Sequence, residues 1–507
     1  MKAVRRFAIC LCTLVLLMPT FASAVDDGFR TSYTYTYDYW GDAQESPDAY
    51  QVSMVINSAS LGMDKLGGIN MLKPQSLFVR NNMIYVCDTS NNRILEIRKK
   101  TNSEYQLVRV ISEMQGTTNN QIKSPYDCYV DEEGNIYVAD YGNSRVTLMD
   151  KNLNWICDYV KPTDATFDQG KDFLPKKLVV DVAGRVYVLA QNINKGLIKY
   201  EADGTFTGFI GANQVTISTG EYIWKRYFQT KEQQAASISF VPTEYENIAI
   251  DSQGFIYATN TVFEEYQLKS DSAKPIRRIN NLGSDILIKN DKFPPIGELN
   301  WVSGSTAAGP SKLTDITVME NDIYVALDRI RGRVFGYDSQ GVLLWAFGTK
   351  GNVRGAFVSA ISIESMGRDL LVLDQVQNSI TVFTPTEYGN LVYDATDAYL
   401  NGNYEESANL WQEVIRMNAN YPLAFRGIGR AILREDKFEE AMKYFELAHD
   451  RESYGRAFKL YRKEWVEKNI WWIIVVIAVL LIVPLIIGRV KRMRWEVAMH
   501  EHSKVHK

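Results

Sequence analysis

Histidine decides much of the chemistry open to this 507-residue chain, because its four copies, His449, His500, His502 and His506, all lie late. From Val25 to Ala448 there is no imidazole to activate a serine nucleophile or to ligate zinc. The terminal HEHSKVH reads as a polar tail, since no other ligand cluster stands near it in the sequence. No phosphate-cradling Gly-rich loop and no Cys-x-x-Cys pair is present. Carboxylates remain. Asp127, Glu246 and Asp315 each stand near the start of a short apolar stretch, where strand side chains can reach a shared channel and offer oxygens to a hard cation such as calcium. Acidic residues are equally common in the turns that precede strands. Cys10 and Cys12 fall in the N-terminal apolar run, which leaves Cys87, Cys128 and Cys157, too few for a disulfide framework. All three read as apolar strand positions, with Cys87 and Cys128 the pair to examine for a bridge.

A repeating unit must position these groups. Between residues 74 and 390 a short apolar strand, an acidic or Gly turn, a strand of the form IYVxD, a polar turn and a third strand recur. The unit is clearest at YDCYVDEEGNIYVADYGNSRVTLMD and is visible six times. The matching positions Tyr85, Tyr137, Tyr187, Tyr257, Tyr324 and Leu371 lie 52, 50, 70, 67 and 47 residues apart, a four-strand unit with two long insertions. Six such units point to a closed propeller, because radial closure protects strand edges. The sixth runs into a helical pattern after Thr384 and lacks its outer strand, while AYQVSMVI at 49–56 reads as a strand before the first unit. That strand is expected to complete blade six.

The copies resemble NHL repeats, most closely at GNIYVADYGNSRV (134–146). The aligned Asp88, Asp140 and Asp374, with Arg93 and Arg145 five residues after the first two, match that family's spacing. Ala190 and Asn260 stand at the Asp position in units three and four. An Asp there can hold turn N–H groups and meet an Arg on the next strand, which is a structural role. The absence of histidine separates the chain from propeller lyases that hold zinc through imidazoles. Calcium-dependent sugar-lactone or ester hydrolases of the six-bladed type need only Asp, Glu and Asn, and they give the alternative reading, with Asp127, Glu246 and Asp315 as its ligands.

After residue 390 the period changes. Residues 393–422 and 424–450 share a register of 34 that matches Ala395 with Gly429 and Trp411 with Phe445. This is similar to two tetratricopeptide repeats, in which small residues permit close helix packing and aromatics fill the gap. Tyr454–Lys468 reads as a solvating helix.

The ends give topology. Lys2, Arg5 and Arg6, then Phe7 to Met18, then Ala22-Ser23-Ala24 have the three parts of a secretory signal over 1–24. Ile470 to Ile487 is 18 residues without a charge, close to the about 20 that a spanning helix needs. Trp471 and Trp472 suit the outer interface, and Arg489, Lys491, Arg492 and Arg494 belong on the cytoplasmic side. The expectation is a single-pass protein of the cell membrane with its bulk outside and a basic cytoplasmic tail at 489–507.

Composition agrees: 46 % hydrophobic and 23 % charged residues suit a chain that buries a core. The net charge of −4 divides into +3 for 1–24, −9 for 25–390, −2 for 391–469 and +4 for 470–507. An acidic middle excludes nucleic acid as a partner, since phosphates require cations. The fold expectation is mainly β with a C-terminal α part: N-terminal segment 25–73, propeller 74–390, helical repeats 391–469 and membrane helix 470–488. Long loops on a rigid scaffold are where binding usually lives. The insertions at 211–245 and 261–311 supply Tyr222, Trp224, Tyr227, Phe228, Phe263, Tyr266 and Trp301 as candidate binding residues, against a packing role for the same rings. Tyr33, Tyr35, Tyr37 and Tyr39 alternate in TSYTYTYDYW and share one face if extended, either for stacking on sugars or for packing. The functional expectation is a non-catalytic, membrane-anchored extracytoplasmic scaffold, without a cofactor, that docks a glycan, a peptide or an envelope protein such as a transporter component.

Overall fold

The computed structural model describes residues 34–505 apart from 39, 64–67, 102–103, 212–244, 264, 270–272, 290–293 and 300–308. The proposed signal segment lies outside them. Two units are present: 48–385 with the residues up to Tyr35, and 386–507 with 36–47.

The first unit is a six-bladed β-propeller. Blade one is Ser76–Arg80, Met83–Asp88, Arg93–Thr101 and Glu104–Ile111, each strand antiparallel to the next. Blades two (Pro125–Tyr159), three (Pro175–Ile210) and five (Leu313–Phe347) repeat the pattern with four strands each. Blade four shows three strands among the described residues, Asn247–Ile250, Ile256–Thr259 and Ile276–Ile279. The last of these lies inside the stretch expected to be an insertion at 261–311, so that expectation is corrected. Its IRRI buries the two isoleucines together with Arg277, whose guanidinium lies 5.9 Å from the Tyr245 ring, while Arg278 pairs with Asp251, and the strand therefore lacks the uniform apolar pattern of its counterparts. Blade six has Ala360–Met366, Asp369–Asp374 and Ser379–Pro385, and its fourth strand is Tyr50–Asn57, antiparallel to the third with Ile380 opposite Ile56. The ring is thus closed by a strand that precedes blade one, paired with the third strand of blade six.

The apolar runs follow from this architecture. In Met83–Asp88, Ile84 and Val86 pack into the core shared with blade six, while Tyr85 and Cys87 pack into the core shared with blade two. Blade three does the same: Val186 and Val188 face blade two, Tyr187 and Leu189 face blade four. A second strand buried on both faces has no polar alternation to show. Cys87 and Cys128 meet in the blade one–two core, and both thiols are free. The turn between first and second strands is also built repeatedly. Asp131 Oδ1 accepts from the Glu133 and Asn135 N–H groups at 2.9 and 2.8 Å, and Gly134 takes the φ of 88° that the turn requires. Asp181 and Asp251 build the same turn in blades three and four.

In the second unit the helices Glu387–Leu400, Tyr404–Met417, Pro422–Arg434, Phe438–Leu447 and Arg451–Val505 follow one another, each packed on the next. Thr386 Oγ1 caps the first by accepting from Gly389 N–H at 3.1 Å, and Pro422 opens the third. Gly429 is buried against Phe445: a Cβ built at Gly429 would fall 2.7 Å from the ring. The last helix contains an apolar segment with no side chain buried, long and apolar enough to cross a bilayer.

Candidate functional site

A cavity of about 760 Å³ opens inside the propeller. Its floor is a ring of polar residues, one from the first strand of each blade. Ser76 faces Cys87, Asp127 faces Ala139, Lys177 faces Leu189, Asn247 faces Thr259, Asp315 faces Leu327 and Ser362 faces Leu373. Each partner immediately precedes the repeat's Asp position, so the six occupy one register position.

The ring stitches the blades together. Asp127 Oδ2 accepts from Leu178 N–H at 3.0 Å, Asp315 Oδ2 from Ile363 N–H at 2.7 Å and Ser362 Oγ from Leu77 N–H at 3.3 Å, in each case reaching the next blade. Ser76 Oγ donates to Asp127 Oδ1 at 2.7 Å, and the Asn247 amide donates to Asp315. Lys177 Nζ donates to Ser76 Oγ at 2.9 Å and lies 3.7 Å from Asp127 Oδ1. Burial works against the Lys177 charge, but the Asp127 and Asp315 carboxylates outweigh it, and its pKa ends above the usual lysine value. Burial raises Asp315 as well, against the opposing pull of Lys177.

Glu364 stands two residues beyond Ser362, on the cavity wall. Thr317 Oγ1 donates to its Oε2 at 3.0 Å, and its Oε1 has no hydrogen bond among the described residues. Burial, followed by the nearby Asp315 charge, pushes the Glu364 carboxyl up to about 8. It therefore holds a proton at neutral pH. Toward the mouth the walls end in the turns of blades two to four, with Asp131, Glu132, Glu133, Asp181 and Asp251, and in Arg80 of blade one. Arg80 is committed: Nη2 donates to Tyr129 Oη at 3.1 Å and Nε to the Val130 carbonyl at 2.9 Å.

The residues singled out from sequence are placed as follows. Asp127 and Asp315 belong to the ring, but Glu246 is exposed and outside the cavity. The three do not form one donor set, and no group of three or more metal-capable side chains exists among the described residues. The ring carboxylates are taken up by backbone N–H groups, and an ammonium stands beside Asp127, so these residues do not fit a calcium centre. Asp88 and Asp140 are fully buried, bound by Arg93 at 2.7 Å and Arg145 at 2.9 Å, and each also accepts from a backbone N–H of the preceding segment. Asp374 accepts from four backbone N–H groups, 358, 359, 376 and 377. Asp328, paired across its strand with Arg333, is a further member of this set that the alignment on tyrosine missed, because in blade five the tyrosine stands one position earlier in the strand, where blade two has Ile136. Phe263 is buried under the Lys312 ammonium, 3.8 Å from its ring, whereas Tyr266 is exposed, and the two are not brought together. Tyr222, Trp224, Tyr227, Phe228 and Trp301 lie outside the described residues. Of the tyrosine run, Tyr35 is buried, with the Arg333 guanidinium 5.4 Å from its ring, and so is packed. Lys177 and Glu364 went unread in the sequence.

No family model and no curated protein matches the chain. Among solved structures it is similar to a streptogramin B lyase at 11 % identity over 67 % of this chain and 100 % of that one, with a TM-score of 0.39. A virginiamycin B lyase from Staphylococcus aureus matches at 10 % identity over 66 % and 99 %, TM-score 0.38. A putative gluconolactonase matches at 10 % over 67 % and 94 %, TM-score 0.37. Likeness at this level says nothing of activity, and the six sheets themselves establish the propeller.

Proposed function

We propose that the protein is a membrane-tethered, non-catalytic binding protein whose propeller channel takes a ligand and whose helical pairs dock a protein partner. One observation carries this reading: the carboxylates in the channel floor are occupied by backbone N–H groups and by Lys177, an arrangement that fixes the ring and leaves no open metal centre for hydrolysis. The blades are read as NHL-type and the helical pairs as tetratricopeptide-type, on the residues given above. The long apolar helix anchors the chain, with the propeller outside the cytoplasm and the basic tail inside. A glycan, a peptide or an envelope protein such as a transporter component is the partner this architecture suits.

The test is metal analysis and thermal unfolding of the full chain in detergent, with and without calcium. The expected result is no stoichiometric metal and an unchanged melting temperature. Bound calcium with a calcium-dependent rise in melting temperature would replace this reading with the lactone or ester hydrolase.

A further inference from the structure

Among the described residues, eight carboxyl groups and two cationic side chains line the propeller cavity. Asp127, Asp181 and Asp251 have cationic partners, Lys177, Arg185 and Arg278 respectively. Asp131, Glu132, Glu133, Asp315 and Glu364 make no ion pair among the described residues. They are strung out, from Glu364 and Asp315 at the floor to Glu132 and Glu133 on an exposed turn. A hard metal ion needs six to eight oxygens gathered within about 2.6 Å of one point, and this spread cannot supply them. An extended organic cation can meet carboxylates in series. The floor already shows how an ammonium is held here, since Lys177 Nζ sits between Ser76 Oγ and Asp127 Oδ1. Beside it Glu364, which lines the cavity, has one oxygen bound by Thr317 and the other without a hydrogen bond among the described residues.

We infer that the propeller channel is a binding site for an alkylammonium ligand, which enters past Glu132 and Glu133 and places its leading ammonium on Glu364 Oε1. This inference rests on the binding-protein reading above and names the ligand class of that channel. The shared chemistry is a primary amine on a flexible chain, either a free polyamine or the lysine side chain of a peptide. A cation placed beside Glu364 favours its ionised form, so binding drives the carboxyl proton into solvent while the ligand stays an ammonium.

The experiment is calorimetry on the full chain in detergent at pH 7.5, with spermidine and with trilysine as separate probes and glutarate as the anionic control. Each is run in two buffers of different ionisation enthalpy. The expected result is saturable binding of at least one amine, no binding of glutarate, and a heat that changes with buffer because protons are released. Spermidine alone binding identifies a free polyamine, and trilysine alone identifies a peptide. Glu364→Gln is expected to abolish the proton release and weaken binding roughly tenfold, the loss of one charge-assisted hydrogen bond. Glu132→Gln with Glu133→Gln, on the exposed turn, is expected to flatten the salt dependence of binding. Binding of neither amine, equal binding of glutarate, or amine binding without proton release would each overturn the inference. The proton release is read on the unaltered chain, so a Glu364 variant that fails to fold does not remove the test. Failure with both amines leaves the calcium result of the preceding test, and the binding-protein reading with it, untouched.

Discussion

At the scale of single residues, the channel separates carboxylates that hold the fold from one that does not. Asp127 and Asp315 each bind the backbone of the next blade, whereas Glu364 takes one hydroxyl and otherwise faces open space. Its carboxyl, at about 8, lies well above the roughly 4.3 expected in the unfolded chain. Between those values the native state holds a proton that the unfolded state has lost, so folding takes up a proton and stability falls as pH rises through the window. Glutamine reproduces the protonated acid without the titration. Glu364→Gln is therefore expected to match the parent near pH 4 and to exceed it at pH 8.5 by on the order of 1 kcal/mol or more, read by urea unfolding at the two pH values. A difference independent of pH would show that Glu364 ionises normally in the folded chain. These groups were partly legible. Asp127 and Asp315 draw attention as acids near strand starts, but a lysine or asparagine at the same position of another repeat does not. The ring emerges only when the repeats are compared at the position facing the axis, Ser76, Asp127, Lys177, Asn247, Asp315 and Ser362. The IYVxD strand, one step outward, catches the eye first because it is buried on both faces.

The blade is the element that the sequence shows best and the strand that closes the ring is the most exposed to test. Turn signals such as Asp131–Gly134 and Asp181–Gly184 are local, and local rules read them. Closure is not local, since Tyr50–Asn57 meets Ser379–Pro385 across more than three hundred residues, and only the count of strands in the sixth repeat points to it. Blade four was the least legible, because Ile276–Ile279 sets two arginines between its isoleucines, and the charge of Arg278 is met by an acid distant in sequence, Asp251. Ile56 ties the closing strand into the core shared by blades six and one and is fully buried there. Ile56→Ala removes that anchor and leaves a cavity, at a cost of about 2–5 kcal/mol. The expected outcome is a lower melting temperature together with earlier proteolytic cleavage near the N-terminal strand. An unchanged melting temperature would mean that the ring holds without its closing strand.

For the whole molecule, charge and hydropathy at the last helix decide where every surface described above is presented. The helix Arg451–Val505 runs unbroken through Ile470–Ile487, with Trp471 and Trp472 at one end and Arg489, Lys491, Arg492 and Arg494 at the other. Basic residues resist translocation, so in the proposed orientation these four stay on the inner side. In the proposed orientation the propeller cavity and the helical pairs share the outer compartment, and the tail from 489 to 507 lies inside. Two variants with one added cysteine each test this with a membrane-impermeant maleimide. Gly455 is exposed, and a side chain added there meets no atom within 4 Å, so Gly455→Cys is expected to label in intact cells. Ser503→Cys is expected to label only after the membrane is permeabilised. Cys87 and Cys128 are buried and Cys157 is half-buried, so the unaltered chain sets the background. Labelling of Ser503→Cys in intact cells, with Gly455→Cys protected, would turn the protein around. The acidic cavity would then face the cytoplasm and the basic tail the outside, and the polyamine arm of the calorimetry would be the one to repeat at cytoplasmic ionic strength.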